Sequence, residues 1–499
     1  MPLRYASGSP LPSQESISRL RWRGVRWGAT ARPYKGSRTD WNWIPKTDRC
    51  YKSENASCDI RAVHRSLRTR NRASCKPLRK NRLLLATPST PVPLPMTRFD
   101  DIIYLDNNAT TQVDPRVTEA MVECQRVGLA NPASQHAAGR EARRQLETAR
   151  DRICGYLGGR LTPAAADRVI LTSGGTEANN LALRGLVGEP PGRIVVSAVE
   201  HPSVHGPAAA LDRLGFDVVR LPVDSDGVVC WQQLPDLLTP DTRLVSVMLA
   251  NHETGALQPV RRIAKLCATA GVCTHTDAVQ AVGKIDVDFR ALGVNAMTVS
   301  AHKFHGPVGV GALLLQSSIH VDPLLLGGLQ QWGYRPGTES LSLAIGLERA
   351  LALWQREAHR RYEQLATMRD RFERLVTQRI PQVVVNGQQA QRVPHTANIS
   401  FLGIDRQLLF MALDQAGVFC STGSACASGS SEPSPVLRAM GLSDALVEAA
   451  LRFSVSSYTS APDVDLAVDR IVKICNHLRG DSRGKKKASS PRQEDLKTL

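Results

Sequence analysis

Five short apolar runs, each followed by a polar motif, constrain the fold of this 499-residue chain more than any other feature. Helical patterns separate the runs, which span residues 168–171, 194–199, 244–249, 272–276 and 297–299. Strands that alternate with helices predict βαβ units and a mostly parallel sheet. The polar motifs then meet at the carboxyl ends of the strands, where such sheets bind ligands. They are Ser173-Gly174-Gly175-Thr176, Glu200-His201-Pro202, Asn251-His252-Glu253, Asp277 and Ser300-Ala301-His302-Lys303.

A second, smaller unit follows a long amphipathic pattern that predicts a helix over residues 343–379. After it we predict strands at 397–401 and 451–455 and helices at 407–415 and 464–477, which is typical of an α+β domain. The predicted fold class is therefore α/β with a mostly parallel large domain and a smaller α+β domain. We assign residues 114–354 to the large domain, 96–113 and 355–479 to the small domain, and 480–499 to a polar basic tail.

The net charge of +17 is concentrated at the ends of the chain. Residues 1–95 hold 20 Lys/Arg against 5 Asp/Glu, whereas residues 96–479 carry a net charge of only −1. The first 95 residues show no sustained hydrophobic period, so we predict a disordered extension or translation from upstream of a true start at Met96. An organelle transit peptide and an RNA-binding arm are the alternatives. The near-neutral body makes nucleic acid an unexpected partner, and a cytoplasmic protein is expected unless residues 1–95 are a transit peptide.

Two classes of protein are excluded by composition. No apolar run approaches the roughly 18–20 residues that a membrane span needs. The eleven cysteines are scattered and form no CxxC pair, which argues against a zinc ribbon and against a small disulfide-stapled fold. We therefore expect no membrane span and no metal site.

Three of the strand-end motifs suggest one kind of chemistry when they are taken together. Ser173-Gly174-Gly175-Thr176 precedes a helix and could bind a phosphate, although an ordinary glycine turn explains it equally well. Lys303 could form a Schiff base if an apolar setting lowers its pKa, or it could be a solvent-facing loop lysine. Asp277 could pair with a protonated pyridine nitrogen, as pyridoxal 5′-phosphate (PLP) requires.

These motifs resemble those of the NifS/IscS-type cysteine desulfurases, which belong to the class V aminotransferase family of PLP enzymes. Leu105-Asp106-Asn107-Asn108, Arg335-Pro336-Gly337-Thr338 and Ser424-Ala425-Cys426 extend the resemblance, which covers residues 103–478 in order. It implies PLP-dependent fold type I, and a homodimer that converts L-cysteine to L-alanine. The sulfur would be held as a persulfide and passed to an acceptor protein of iron–sulfur cluster assembly or tRNA thiolation.

The resemblance also implies a role for each matching residue. Lys303 would carry PLP, Asp277 would pair with the ring nitrogen, Gln280 would bond the phenolic oxygen, and His201 would stack on the ring and move protons. The phosphate would be held by Gly175, Thr176, Ser300 and His302, with Thr338 supplied by the partner subunit. Arg452 would bind the substrate carboxylate, with Asn108 and Asn131 near the substrate.

His252 departs from the family pattern, which often has asparagine there. An imidazole can donate the same hydrogen bond to the cofactor, so we expect a tuned cofactor; a histidine satisfied elsewhere in the core is the alternative.

Cys426 lies in a run of small polar residues, unlike the apolar surroundings of a structural cysteine. We predict it to be the nucleophile that receives sulfur, and Cys420 to be a core residue. The rival functions are selenocysteine lyase and another class V aminotransferase, although an aminotransferase needs no loop nucleophile.

Overall fold

A computed structural model describes residues 102–128, 130–423 and 433–488, with side chains to residue 480. All of them belong to one unit, Pro93–Leu499. The helices are α1 (Pro115–Arg126), α2 (Ala137–Tyr156), α3 (Gly175–Gly185), α4 (Pro202–Arg213), α5 (Leu234–Leu237), α6 (Val260–Thr269), α7 (Phe289–Leu292), α8 (Leu341–Arg379), α9 (Arg406–Gln415), α10 (Pro435–Ala439), α11 (Asp444–Glu448) and α12 (Ala461–Ala488). The strands are β1 (Ile103–Tyr104), β2 (Arg168–Thr172), β3 (Arg193–Ser197), β4 (Asp217–Leu221), β5 (Thr242–Ser246), β6 (Cys273–Asp277), β7 (Ala296–Ser300), β8 (Gly311–Leu315), β9 (Val383–Val385), β10 (Thr396–Phe401), β11 (Val418–Phe419) and β12 (Ala450–Ser454).

The larger sheet has seven strands in the order β2-β8-β7-β6-β5-β3-β4. All are parallel to one another except β8, which runs antiparallel to both of its neighbours. The predicted α/β class with a mostly parallel sheet is therefore confirmed, and each of the five predicted strands is present. The carboxyl ends of β2, β3, β5, β6 and β7 all lie at the same edge of the sheet.

Both faces of this sheet are covered by apolar side chains, because successive strand residues point to opposite faces. Val195 of β3 packs in one core cluster, whereas its neighbours Ile194 and Val196 pack in the other. The same alternation explains why the central strands are continuous apolar runs rather than alternating ones. The packed sheet therefore holds the side chains at its edge in fixed positions.

A second core lies around the three-stranded antiparallel sheet β12-β10-β9. The early residue Leu105 is part of this core, and β1 pairs with β11 beside it. Helix α8 joins a core of the large sheet to this second core, since Leu347 packs in the former and Phe372 in the latter. The domain boundaries given above remain a prediction.

Two differences from the predicted elements concern helix ends and strands. Helix α12 continues to Ala488, past the predicted end at residue 477 and into the segment predicted to be a polar tail. Strands β1, β4, β8 and β9 were not predicted. The predicted extension, residues 1–95, lies outside the described residues. Within the described ranges, no helix is long and apolar enough to cross a membrane.

Candidate active site

The five polar strand ends meet in one cavity of about 220 Å³. Nine of the residues predicted from the sequence line it. They are Gly175, Thr176, His201, His252, Asp277, Gln280, Ser300, His302 and Lys303. Their convergence follows from the parallel strands, which bring residues far apart in sequence to one edge.

The turn between β2 and α3 presents backbone and hydroxyl groups at one end of the cavity. Gly311 of β8 lets the backbone of this turn lie close to the strand, because a Cβ on Gly311 would lie 2.7 Å from the carbonyl carbon of Gly174. The Ser300 hydroxyl is buried and has no hydrogen-bond partner among the described residues. Unpaired backbone N–H groups at the start of an eleven-residue helix, with a hydroxyl beside them, suit a phosphate group.

Asp277 ends β6 as a buried carboxyl, 5% exposed, on the floor of the cavity. It accepts hydrogen bonds from the Asn179 side chain (2.7 Å) and the Val279 backbone N–H (2.9 Å). Gln280, one turn further, donates to the Asn108 carbonyl (3.1 Å), while its own side-chain oxygen has no partner among the described residues. The Asp277 carboxyl and the unpartnered Gln280 oxygen therefore both line the cavity, where a polar ligand could bond to them.

Two histidines form another wall of the cavity. The rings of His201 and His252 meet edge to face with their centres 5.1 Å apart. His201 caps α4, since its Nδ1 accepts the Ser203 backbone N–H (3.1 Å). Burial lowers the pKa of both rings, and in His252 the neighbouring His201 lowers it further. Both imidazoles are therefore neutral near pH 7, and because His201 accepts at Nδ1, its ring proton lies on Nε2 and can be donated.

Lys303 occupies a short 3₁₀ turn, Ala301–Lys303, directly after β7. Its ammonium donates to the backbone carbonyls of Asn108 (2.5 Å) and Ala109 (2.9 Å). Burial, followed by the positive charge of Arg452, lowers the pKa of Lys303 to about 8. At pH 7 roughly a tenth of this lysine is therefore a neutral amine, far more than for an ordinary lysine, and the neutral amine is the form that makes a Schiff base.

These features fit PLP. The phosphate would bind the Gly175 turn and Ser300, the ring nitrogen would face Asp277, and the aldehyde would meet Lys303. The unpartnered oxygens of Gln280 and Ser300 are what a polar ligand would satisfy, because buried polar atoms are seldom left without a hydrogen bond.

Two further predicted residues lie beside the cavity. Asn108 donates its amide to the His252 carbonyl (3.1 Å) and the Thr396 hydroxyl (2.9 Å). Arg452 is 2% exposed and donates to the same carbonyl (3.1 Å) and to Asp106 (2.8 Å). Both side chains therefore contact the backbone of His252, whose ring lines the cavity.

Two predicted residues are not brought to this cavity. Asn131 and Thr338 line a separate pocket of about 450 Å³. Cys426 lies outside the described residues. Cys420 is buried in the second core, and burial raises the pKa of its thiol well above the ordinary value. The thiol therefore stays neutral, which suits a packing residue.

Sequence reasoning missed Asn179, which orients Asp277. Its amide also donates to the Ser203 hydroxyl (2.8 Å), so it links α3 to both β6 and α4. An available signal was the position of Asn179 beside Ala178 and near Leu181 and Ala182, on the helix face that packs on the sheet. A polar residue buried on an apolar face is often a hydrogen-bonding one.

Comparison with known proteins identifies the class of enzyme to which this site belongs. A family model described as "Aminotransferase class-V" matches residues 103–467. The chain therefore belongs to the aminotransferase class-V family, and within it to the cysteine desulfurases of the NifS and IscS kind. The predicted resemblance is confirmed.

The relatives are similar over nearly their whole length. Cysteine desulfurase IscS of Dictyoglomus turgidum is 40% identical over 380 residues, 76% of this chain and 95% of that protein. A cysteine desulfurase of Cereibacter sphaeroides is 41% identical over 381 residues, 76% of this chain and 96% of that protein. Among solved structures, a NifS-like protein has a TM-score of 0.70 at 32% identity, covering 76% of this chain and 100% of the other.

Proposed function

We propose that this chain is a PLP-dependent cysteine desulfurase that converts L-cysteine to L-alanine and holds the sulfur as a persulfide on Cys426. The observation that carries the proposal is the single cavity that joins Lys303, Asp277 and the Gly175 turn. A buried lysine, a carboxylate and a phosphate-binding turn are each weak evidence for a cofactor. Together they are the three groups that PLP binding requires. When bound, PLP supplies an electron sink for carbanion chemistry at the amino acid.

The residues of the cavity would then bind and orient the substrate and move its protons. A neutral Lys303 amine can take a proton from the substrate α-carbon, and neutral His201 can donate the proton on its Nε2. Asp277 favours a proton on the ring nitrogen. Arg452 offers a guanidinium to the substrate carboxylate, which would compete with Asp106 for it.

Sulfur transfer would belong to the Cys426 thiolate. It attacks the substrate sulfur, so that an S–S bond forms and the bond between that sulfur and the β-carbon breaks. The electron pair of the broken bond stays with carbon, which gains a proton to become the methyl group of alanine. The products are alanine and Cys426 persulfide, with no external oxidant or reductant.

We further propose that the persulfide passes to a thiol of an acceptor protein, either an iron–sulfur scaffold or a thiolation enzyme. We also propose a homodimer in which Thr338 reaches the partner's phosphate site. A location in the cytoplasm is the simplest, with an organelle expected only if residues 1–95 are a transit peptide.

The test compares two cysteine variants of the PLP-loaded enzyme. Cys426→Ala should retain the cofactor spectrum and its change on addition of L-cysteine, yet form almost no alanine, sulfide or protein persulfide. Cys420→Ala, the matched control, removes a buried packing thiol and should remain active. Alanine formation at the normal rate by Cys426→Ala would show that the nucleophile is another group.

A further inference from the structure

Lys284 is a buried lysine directly behind the proposed PLP lysine. It is 2% exposed and is not one of the residues that line the cavity. Its Nζ donates a hydrogen bond to the backbone carbonyl of Lys303. Lys284 therefore contacts the turn that presents the reactive amine without contacting the space in which the ligand would sit.

The surroundings of Lys284 are costly for a charged group. Among the described residues, no carboxylate forms an ion pair with it. The titratable and charged groups that interact with it electrostatically are Lys303, Arg361, His302, His305 and His395. Burial, then Lys303 and Arg361, lower the pKa of Lys284 to about 7. A buried amine without an anionic partner destabilises a fold, so a function is a better explanation for it than packing.

The segment that ends at Lys284 begins at Asp277, so one short stretch of chain both lines the cavity through Asp277 and bonds the Lys303 carbonyl through Lys284. A second contact strengthens the link between this stretch and the lysine turn. Gly283 has φ +75°, and a Cβ on it would lie 2.1 Å from Cβ of Phe304, the residue after Lys303. The stretch 277–284 and the turn at Lys303 are thus held together by a hydrogen bond and by a close backbone approach.

We propose that Lys284 is a positioning residue for Lys303. By bonding the Lys303 carbonyl, it fixes the turn so that the Lys303 amine faces the cavity at a set distance from Asp277. This inference rests on the proposed function, in which Lys303 carries PLP. The substitution Lys284→Met removes the N–H donor and keeps a side chain of similar length, and Lys265→Met is a control at an exposed lysine of α6.

The first measurement uses the cofactor-free enzyme, so it is informative whichever lysine carries PLP. An amine-reactive reagent and peptide mass spectrometry give the pH profile of Lys303 labelling. We expect Lys284→Met to loosen the turn, expose the Lys303 amine and raise the midpoint of labelling by about one pH unit toward the ordinary lysine value. An unchanged midpoint would contradict the inference. If Lys284→Met does not fold, Lys284→Leu also removes the N–H donor, and it too should raise the midpoint.

The second measurement separates positioning from general structural support. We expect Lys284→Met to weaken PLP binding about tenfold, equivalent to losing one buried hydrogen bond. In a Lys303→Ala background the same substitution should have no effect on non-covalent PLP binding, because the residue acts through Lys303. Equal weakening in both backgrounds would overturn the inference. Borohydride labelling of a different lysine would instead refute the proposed function.

Discussion

At Lys303, the lowered pKa results from where the chain places the amine. The side chain enters a largely buried cavity, and its hydrogen bonds go to two neutral carbonyls rather than to a carboxylate. The nearby Arg452 further disfavours the charged form, against the weaker opposing effects of Asp106 and Asp277. The sequence suggested such a lysine, but only the fold supplies the carbonyls of Asn108 and Ala109.

This pKa predicts how PLP loading depends on pH. Only the neutral amine attacks an aldehyde, and its fraction rises as the pH passes the pKa of about 8. The rate of loading into cofactor-free enzyme should therefore rise between pH 7 and 9 and then level off. Stopped-flow absorbance at a fixed PLP concentration measures it. A rate that keeps rising toward pH 10.5 would mean that the lysine has its ordinary pKa.

Other contacts at the residue scale could not be predicted from sequence. The ion pair between Arg452 and Asp106 joins residues at opposite ends of the described chain. The contact between the His201 and His252 rings depends on the spacing of β3 and β5. Such pairings are set by the neighbours of each strand, about which local hydrophobic patterns contain no information.

At the scale of elements, the parallel strands were predictable because each is a short apolar run that ends in a polar motif. Strand β4 was missed because it is an edge strand in which no residue before Leu221 is fully buried, so its pattern is weak. Strand β8 was missed because it follows β7 after a glycine-rich turn rather than a helix. The common location of the polar motifs was predicted from strand direction alone, and nine of the predicted residues do line one cavity.

The close approach of the stretch 277–284 to the lysine turn predicts unequal effects of two glycine substitutions. Gly283 and Gly271 both have left-handed backbones, with φ +75° and +71°, but a Cβ on Gly271 meets nothing within 4 Å. Gly271→Ala should cost about 1–2 kcal/mol from backbone strain alone. Gly283→Ala should cost about 1–3 kcal/mol more because of its clash with Phe304. Chemical denaturation measures both, and equal losses would show that the approach is not close.

At the scale of the whole molecule, Asn131 and Thr338 line a pocket separate from the proposed PLP cavity. A single chain therefore does not explain the roles that were predicted for them. Thr338 does not reach the phosphate turn of its own chain. The preceding segment exposes large apolar side chains, with Leu326 88% and Leu329 89% exposed. Exposed apolar groups of this size are typical of a surface that another protein covers, and a two-fold homodimer is the commonest assembly.

A charged residue in this segment should therefore break the proposed dimer. Leu329→Glu should sediment as a monomer and lose activity, since the partner would no longer supply Thr338. Leu214→Glu, at an exposed leucine after α4, should remain dimeric and active. Sedimentation velocity and turnover are measured on the same samples. A fully active monomer of the unaltered protein would contradict the dimer.

The first 95 residues should be dispensable for the chemistry. The family match begins at residue 103, and among the described residues the core of the large sheet and the core of the three-stranded sheet are built from residue 103 onward. A chain that begins at Met96 should fold, bind PLP and release sulfide at near the full rate. Thermal unfolding and a sulfide assay, each compared with the full chain, measure this. Aggregation or loss of activity would show that the extension supports the body.

The most direct test of the central claim, that the five strand ends form a PLP site with Lys303 as its lysine, is chemical reduction of the loaded enzyme. Borohydride fixes the cofactor to the lysine that carries it, and peptide mass spectrometry identifies that residue. The expected result is a pyridoxyl group on Lys303 alone, with no fixed label in Lys303→Ala. A pyridoxyl group on another lysine, or a label that persists in Lys303→Ala, would contradict the account.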